Sequence, residues 1–451
     1  MIRSVNPYNN MLLKEFEELS EKEIEARIEL AENTFDRWKE TSFEERASFL
    51  RKLATVLAAK KDAYGKIMAL EVGKPIKQAV AEIEKCAWVC NYYAENAKTI
   101  LKPETVITDA YKSYVNYEPL GIVLAIMPWN YPFWQVFRFA APAVMAGNVG
   151  LLKHASNVMM SAEHIEDSFR LAGFPEGVFQ SLVIKSNKVD SIIKDKRVKA
   201  VTLTGSKPAG SAVASAAAKE IKKSVLELGG SNAFIVCNDA NIDKAVETGI
   251  NARYQNTGQS CIAAKRFLLH KDVAAVFLDK YLEKVKSLRS GDPLEEDTYI
   301  GTLAREDLAV ELEKQVNDSV RQGAKVLIGG NRSGAYYQPT VLTRVTEDMP
   351  VFKEETFGPV AAVVIFENLE EAIRISNNSD FGLGVSIFSE NTDHIEKYIT
   401  RFNEGAVFVN ELVKSDPRLP FGGIKISGFG RELGYYGIKE FTNIKTVVIN
   451  K

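Results

Sequence analysis

Cysteine and histidine are scarce in this sequence. Its 451 residues include four of each, and no histidine lies at metal-ligand spacing from another histidine or from a cysteine. Four cysteines are too few to form a disulfide framework for a chain of this length. Cys86 and Cys90 lie four residues apart on a predicted helix, which favours packing in the core. We therefore expect a cytoplasmic protein without a structural metal.

The sequence also has little net charge and no long apolar run. A net charge of −2 gives no electrostatic reason to expect binding to nucleic acid or to an anionic membrane. The first ten residues lack the apolar segment of a secretory signal. The most apolar stretch, 121–134, contains two prolines and is too short to span a bilayer. With 46% apolar and 26% charged residues, the composition is that of a globular protein with a sizeable core.

The residue pattern predicts helices first and then alternating strands and helices. Between residues 19 and 98, apolar residues recur at helical spacing, and Ser20 with Glu23 matches a capping box. The later predicted elements are strands at 113–128, 178–184 and 200–206, a helix followed by a strand at 137–156, helices at 163–171, 189–195 and 207–223, and a second alternating stretch at about 234–410. This alternation is typical of parallel sheets covered by helices on both faces. The last six residues predict a short strand with no obvious partner nearby.

Two chemically reactive side chains lie in segments that favour turns or strand ends. Cys261 lies in NTGQSC, where a turn would give a nucleophile exposure and nearby backbone donors. Glu227 lies between two leucines and before a glycine pair, and an apolar wall would raise its pKa toward that of a general base. Taken alone, each residue is better explained without catalysis, the cysteine as buried structure and the glutamate as a solvent-exposed residue at a strand end.

Two further segments could bind charged groups. Asn130 lies between two prolines in MPWNYP, so its amide could be fixed as an oxyanion donor, although a rigid aromatic turn is the alternative. A strand ends at Gly205 and Ser206, and the helix that follows could bind a pyrophosphate with its free N–H groups or simply be capped there. The run GFGRELG at 428–434 lacks the spacing of a dinucleotide fingerprint and follows no predicted strand.

Eight motifs occur along the chain in a specific order. They are MPWNYP, KHAS, TGS-x-x-x-G, ELGG, GQSC, EETFGP, NNSDFGL and PFGGIKISGFGRELG. Their order and spacing resemble the aldehyde dehydrogenase superfamily over nearly the whole chain. The resemblance implies an α/β fold with a doubly wound parallel-sheet cofactor domain, an α/β catalytic domain and a small β arm used in oligomerisation. The implied segments are 1–108 and 120–229 for the cofactor domain, 230–410 for the catalytic domain, and 109–119 and 430–451 for the arm of a homodimer or homotetramer.

The resemblance implies the NAD(P)-dependent oxidation of an aldehyde to a carboxylic acid. Cys261 matches the nucleophile, which would form a thiohemiacetal and then a thioester. Asn130 matches the oxyanion donor, and Glu227 matches the base that activates water against the thioester. The residues that match cofactor contacts are Trp129, Lys153, Ser156, Gly205, Ser206, Leu228, Glu355 and Phe357.

The cofactor motif departs from that of many NAD-preferring members. Those proteins have Lys-x-x-Glu where this chain has Lys153 and Ser156. Their glutamate binds ribose hydroxyls and would repel a 2′-phosphate, whereas a serine leaves a hydroxyl donor beside the lysine. We therefore expect NADP to be accepted, with NAD as the alternative cofactor.

Arg138 indicates a substrate with a carboxylate. The matching position is often aromatic in members that take neutral aldehydes, and a guanidinium is suited to a carboxylate. Ser415 matches a serine that helps bind the acid group in succinate-semialdehyde dehydrogenases. Gln255 stands where many of those enzymes have a second arginine, for which Arg418 is a possible substitute. The predicted apolar walls of the substrate site are Tyr131, Trp134 and Phe421.

The predicted reaction is thus the oxidation of succinate semialdehyde to succinate, and three alternatives remain. A broad-specificity dehydrogenase of small neutral aldehydes would leave Arg138 in a structural salt bridge. A CoA-acylating relative is disfavoured because Glu227 is present to activate water. A non-catalytic binding protein with this fold is disfavoured because Cys261, Glu227 and Asn130 are all intact.

Overall fold

A computed structural model describes all 451 residues of the chain. The α-helices are Glu21–Trp38, Phe43–Ala59, Lys61–Val72, Ile76–Ile100, Pro132–Met145, Met159–Leu171, Val189–Lys194, Lys207–Lys219, Ile242–Tyr254, Ala274–Ser287, Glu306–Arg321, Pro350–Lys353, Leu369–Asn377, Thr392–Glu396 and Gly434–Lys439. Short 3₁₀ helices are Ser186–Lys188, Gln255–Gly258 and Ile399–Arg401. None of the helices combines the length and the apolarity needed to cross a bilayer.

A six-stranded sheet forms the first half of the fold. Its strands, in spatial order, are Gly428–Phe429, Lys223–Glu227, Val198–Thr204, Ile122–Met127, Val149–His154 and Phe179–Ser181. All neighbours are parallel except the first pair. The carboxyl ends of parallel strands meet at one edge, where ligands bind in open α/β sheets. The motifs MPWNYP, KHAS, TGS and ELGG all lie at this edge because each contains or follows the end of one of these strands.

A seven-stranded sheet forms the second half. Its spatial order is Lys325–Ile328, Thr340–Thr343, Val360–Phe366, Ala264–His270, Asn232–Val236, Val385–Phe388 and Val407–Val409. Every pair is parallel except the first. Apolar side chains form separate clusters on its two faces. Cys261 lies just before the strand at the centre of this sheet.

The final strand has a partner that is distant in sequence. Thr442–Ile449 pairs antiparallel with Lys112–Pro119 over all eight residues, and Glu104–Thr105 adds a third strand. The remaining strands form two-stranded ribbons: Ile2–Val5 with Leu12–Phe16, Arg332–Ser333 with Tyr336–Tyr337, and Phe381–Gly382 with Ile424–Lys425. The domain boundaries given above stay a prediction.

Most predicted elements are present, with local differences. The capping box of Ser20 and Glu23 is formed, and Cys86 and Cys90 are buried in the core. The helix predicted at 207–223 ends at Lys219, since Ile221 has a φ of 54° and Lys223 already begins a strand. The strand predicted at 178–184 spans only three residues, and the N-terminal ribbon was not predicted.

The first two residues of the glycine run at 428–434 form the edge strand of the first sheet. Gly428 has a φ of 115°, and a Cβ there would lie 2.0 Å from the backbone oxygen of Leu226. Only glycine permits this close approach of the two strands. The run is therefore part of the sheet and not a phosphate loop.

Candidate active site

Two cavities meet at Cys261. The larger, of about 740 Å³, is lined by residues from the edges of both large sheets. The smaller, of about 220 Å³, lies against the helices Ile76–Ile100 and Pro132–Met145. Cys261 and Gln135 line both cavities. A nucleophile at this junction can contact one molecule entering from each side.

The turn that carries Cys261 has a strained backbone. Asn256 and Thr257 both have a φ of 54°, which costs about 1–3 kcal/mol per residue for side chains with a Cβ. Arg253 holds the turn by donating to the backbone oxygens of Gly258 (2.8 Å) and Ala264 (3.2 Å). The side chain of Gln259 accepts a hydrogen bond from the backbone N–H of Ala304 at 2.9 Å. Surrounding contacts therefore fix the backbone that presents Cys261.

Burial makes the Cys261 thiol a weaker acid than an exposed cysteine. Its pKa is raised to about 11, mainly by burial, while the positive charges of Arg138 and Lys265 act against this shift. Lys265 is fully buried, and its Nζ donates to the backbone oxygen of Cys261 at 3.1 Å and to Glu355 at 3.1 Å. In this state the thiol stays protonated at neutral pH, so its reaction requires loss of that proton.

Glu227 is a buried carboxyl group without a hydrogen-bond partner on either side-chain oxygen. Burial raises its pKa well above the usual range, and the nearby Glu432 raises it further, whereas Arg138 and Arg431 lower it. Space for this carboxyl exists because residue 422 is glycine, where a Cβ would lie 2.7 Å from Oε1 of Glu227. A buried carboxyl with a raised pKa and free oxygens is suited to general base chemistry.

Asn130 is held in place from both sides. Its Nδ2 donates to the backbone oxygen of Gln259 at 3.1 Å, and its own backbone oxygen accepts from Asn256 at 2.8 Å. Its buried Oδ1 has no partner. An amide nitrogen carries two hydrogens, so one N–H remains for an oxyanion beside Cys261.

The larger cavity contains features that fit a dinucleotide. Ser206 is the N-cap of the helix Lys207–Lys219 without using its side chain as a cap, so donors at this helix start are available to an anion. The rings of Trp129 and Phe357 make an edge-to-face contact with centroids 5.6 Å apart. Glu355 is oriented by the backbone N–H of Gly230 at 3.0 Å. The predicted cofactor residues that line this cavity are Trp129, Gly205, Ser206, Leu228, Glu355 and Phe357.

Lys153 and Ser156 lie outside both cavities. Lys153 is on the strand Val149–His154 next to the one that ends at MPWNYP, and Ser156 follows that strand in an exposed position. The Lys153 side chain is largely buried, has no carboxylate within 4.0 Å, and has a pKa lowered by burial. An ammonium without a counterion in such surroundings favours an anionic ligand.

All six predicted substrate residues line the smaller cavity: Arg138, Ser415, Tyr131, Trp134, Gln255 and Phe421. Arg138 is buried and forms an ion pair with Glu432, donates to Thr204 Oγ1 at 3.2 Å, and lies 4.6 Å from the Phe421 ring centroid. The salt bridge considered as the alternative for Arg138 is thus present. Arg418 does not line the cavity and instead pairs with Asp416 at 2.6 Å.

Charged residues missed from the sequence include Lys85, Lys265 and Glu432, and Glu82 and Lys414 also line the smaller cavity. Lys265 lies four residues after the nucleophile, within a segment already singled out. Glu432 lies in the glycine run that was set aside as a false fingerprint. Lys85 lies on a helix that carries no motif, so nothing in the sequence alone indicated its place in the smaller cavity.

Comparisons with known proteins find one family over nearly the whole chain. A model of the aldehyde dehydrogenase family matches residues 1–447. The chain is 49% identical over 451 residues to a probable succinate-semialdehyde dehydrogenase (NADP(+)) of Synechocystis sp., with 99% of each chain covered. It is 46% identical over 456 residues to succinate-semialdehyde dehydrogenase (NADP(+)) 1 of Mycobacterium tuberculosis, again with 99% of each chain covered. The structure of succinic semialdehyde dehydrogenase from Streptococcus pyogenes in complex with NADP+ has a TM-score of 0.97 and 34% identity over the full length of both chains.

Proposed function

The chain belongs to the aldehyde dehydrogenase family, and we propose that it oxidises succinate semialdehyde to succinate with NADP or NAD. The observation that carries this proposal is the meeting of two cavities at Cys261, the smaller of which contains Arg138 and Ser415. The relatives named for succinate semialdehyde and NADP(+) support the choice of substrate and cofactor.

The proposed mechanism uses three side chains. As a thiolate, Cys261 attacks the aldehyde carbon, and the resulting oxyanion accepts hydrogen bonds from the Asn130 side chain and the backbone N–H of Cys261. Ser206, Glu355 and Phe357 in the larger cavity would hold a nicotinamide cofactor, which would supply the hydride acceptor for oxidation of the thiohemiacetal to a thioester. Deprotonated Glu227 takes a proton from water, which attacks the thioester and releases the acid and the Cys261 thiolate. Aldehyde, oxidised cofactor and water thus give the acid, reduced cofactor and a proton.

A panel of aldehydes assayed with each cofactor tests this function. We expect the highest kcat/KM for succinate semialdehyde, well above that for butanal, which has the same chain length without the acid. Equal kcat/KM values for the two aldehydes would reject the acidic substrate and leave the dehydrogenase assignment intact.

We expect Ser156→Glu to shift cofactor preference toward NAD. A carboxylate at this position would repel the 2′-phosphate of NADP and could bind the ribose hydroxyls of NAD. Lys153→Ala should weaken NADP more than NAD, because only NADP supplies a phosphate for the ammonium. The measurement is the ratio of kcat/KM for the two cofactors at saturating aldehyde, with Ser156→Ala as the control. The same change for both cofactors in both variants would contradict the assignment.

We expect Arg138→Leu to lower kcat/KM for succinate semialdehyde far more than for butanal. A charge-assisted hydrogen bond contributes roughly 1.5–3 kcal/mol, so its loss corresponds to a decrease of about 10- to 150-fold. Ser415→Ala should act in the same direction but more weakly, since a neutral group is lost. The effects should fall mainly on KM, because the carboxylate is bound alike in ground and transition states.

Because Arg138 is paired with Glu432, the effect of replacing Arg138 must be measured as a ratio of the kcat/KM values for the two aldehydes. Removing one partner of a buried ion pair destabilises a protein by about 3–5 kcal/mol, which would lower activity toward both aldehydes. The quotient of the two kcat/KM values cancels this loss. An unchanged quotient would mean that Arg138 is structural. A quotient near one in wild type would favour the second candidate function, a broad-specificity dehydrogenase of small neutral aldehydes.

We further propose a homodimer or homotetramer located in the cytoplasm. The strand Thr442–Ile449 lies at the edge of its sheet and exposes Ile444 and Val448, as a strand that pairs with another chain would. All four cysteines are free thiols, which fits a reducing compartment. Light scattering of the purified protein tests the oligomeric state.

A further inference from the structure

Lys85 faces the smaller cavity from the helix Ile76–Ile100. It lies on the same helix face as Gln78, Ala81 and Glu82, which line the same cavity. Its ammonium Nζ lies 2.9 Å from Ser415 Oγ and 4.2 Å from the Trp134 ring centroid. Ser415 also accepts a hydrogen bond from Trp134 Nε1 at 3.0 Å. Lys85 thus lies beside two residues already proposed to bind substrate.

Among the cations that line this cavity, Lys85 alone has no carboxylate within 4.0 Å. Arg138 is paired with Glu432, and Lys414 is paired with Glu411 at 2.7 Å. A partly buried ammonium loses part of its hydration shell. Without a counterion, its remaining interactions here are with one hydroxyl group and one aromatic ring. A carboxylate entering the cavity would restore the missing partner.

We propose that Lys85 binds the carboxylate of the semialdehyde and sets the preference of this enzyme for acidic over neutral aldehydes. The inference rests on the proposed function and assigns a second substrate counterion, besides Arg138, to a residue outside the recognised motifs. In this arrangement Ser415 orients the ammonium, the Trp134 ring lies against it, and Arg138 adds positive charge while remaining paired with Glu432.

The charges around Lys85 make the proposed contact sensitive to pH. Burial, together with the positive charge of Arg138 on the helix Pro132–Met145, lowers the pKa of Lys85 to about 8. Asp416 from the loop opposite, and Glu82 and Cys86 from the same helix, act in the other direction. Only the protonated amine attracts a carboxylate. Selectivity for the acidic aldehyde should therefore be present below this pKa and fall as pH rises through it.

The test measures kcat/KM for succinate semialdehyde and for butanal with wild type, Lys85→Met and Lys85→Arg. We expect Lys85→Met to lower kcat/KM for succinate semialdehyde by about 10- to 150-fold, mainly through KM, as for loss of a charge-assisted hydrogen bond. Butanal oxidation should be nearly unchanged. Lys77→Met, on the same helix but with a side chain 67% exposed, is the matched control and should behave as wild type.

A pH series separates a binding role from a structural one. In wild type the ratio of the two kcat/KM values should decrease above about pH 8, the pKa of Lys85. Lys85→Arg should keep the preference and remove its decrease at high pH, since a guanidinium stays charged throughout. In Lys85→Met the ratio should be low at every pH.

The outcomes distinguish this inference from the proposed function. If wild type itself shows no preference for succinate semialdehyde over butanal, the proposed function fails. If wild type has the preference and Lys85→Met keeps it, or loses activity toward both aldehydes equally, the role of Lys85 is overturned and the proposed function stands. A Lys85→Arg profile with the same decrease at high pH as wild type would also overturn it.

Discussion

We expect Cys261→Ala to abolish aldehyde oxidation while the protein still binds its cofactor. An alanine side chain cannot form the thiohemiacetal, so no hydride can leave the substrate. The substituted residue lies at the junction of the two cavities, and a smaller side chain there leaves the rest of the larger cavity intact. Formation of reduced cofactor measures the first effect. Quenching of tryptophan fluorescence by added cofactor measures the second, because Trp129 lines the larger cavity.

Cys237→Ala is the matched control for this experiment. Cys237 is a buried free cysteine whose pKa is also raised by burial, but it lines neither cavity. Its replacement should leave kcat unchanged. Residual turnover by Cys261→Ala at the wild-type rate would remove the nucleophile from the proposed mechanism.

We expect Glu227→Gln to release reduced cofactor once per active site and then stall. Glutamine fills the same space but cannot take a proton from water, so the thioester forms and persists. Rapid mixing with aldehyde should give a burst with an amplitude near one per subunit, followed by a steady rate at least about 100-fold below wild type, as for loss of a general base. Glu220→Gln, at the exposed end of the preceding helix, is the control.

The pH dependence of the steady rate gives a second check on Glu227. Since burial and Glu432 raise its pKa, more of the carboxyl becomes ionised as the pH increases, and thioester hydrolysis in wild type should accelerate. The slow rate of Glu227→Gln should not show this increase. Normal turnover in the variant, or an identical pH profile, would assign the activation of water to another group.

The parts of the site that the sequence predicted are those set by local structure. Asn130, Gly205 and Glu227 each lie at or just after the end of a strand in one parallel sheet, so their convergence follows from the alternation of strands and helices. The family resemblance was confirmed by the family model and the relatives, and the expected fold by the solved structure with a TM-score of 0.97. The individual roles of the site residues stay predictions.

The parts that could not be predicted depend on contacts between distant segments. Lys85 approaches Ser415 only because the helix Ile76–Ile100 packs along one wall of the smaller cavity. The pairing of Arg138 with Glu432 likewise joins residues far apart in the chain. No local periodicity indicates such contacts, because side-chain periodicity indicates only which face of an element is buried.

The C-terminal segment contributes a strand to the first sheet, so this sheet can be completed only late in synthesis of the chain. Strand Gly428–Phe429 closes the edge of that sheet, Glu432 neutralises Arg138, and Thr442–Ile449 pairs with Lys112–Pro119. During synthesis these segments leave the ribosome after the rest of both halves has emerged. Until then Arg138 has no counterion and two sheets lack a strand. A polypeptide truncated before residue 428 therefore lacks a complete catalytic centre even though Cys261, Glu227 and Asn130 are all present.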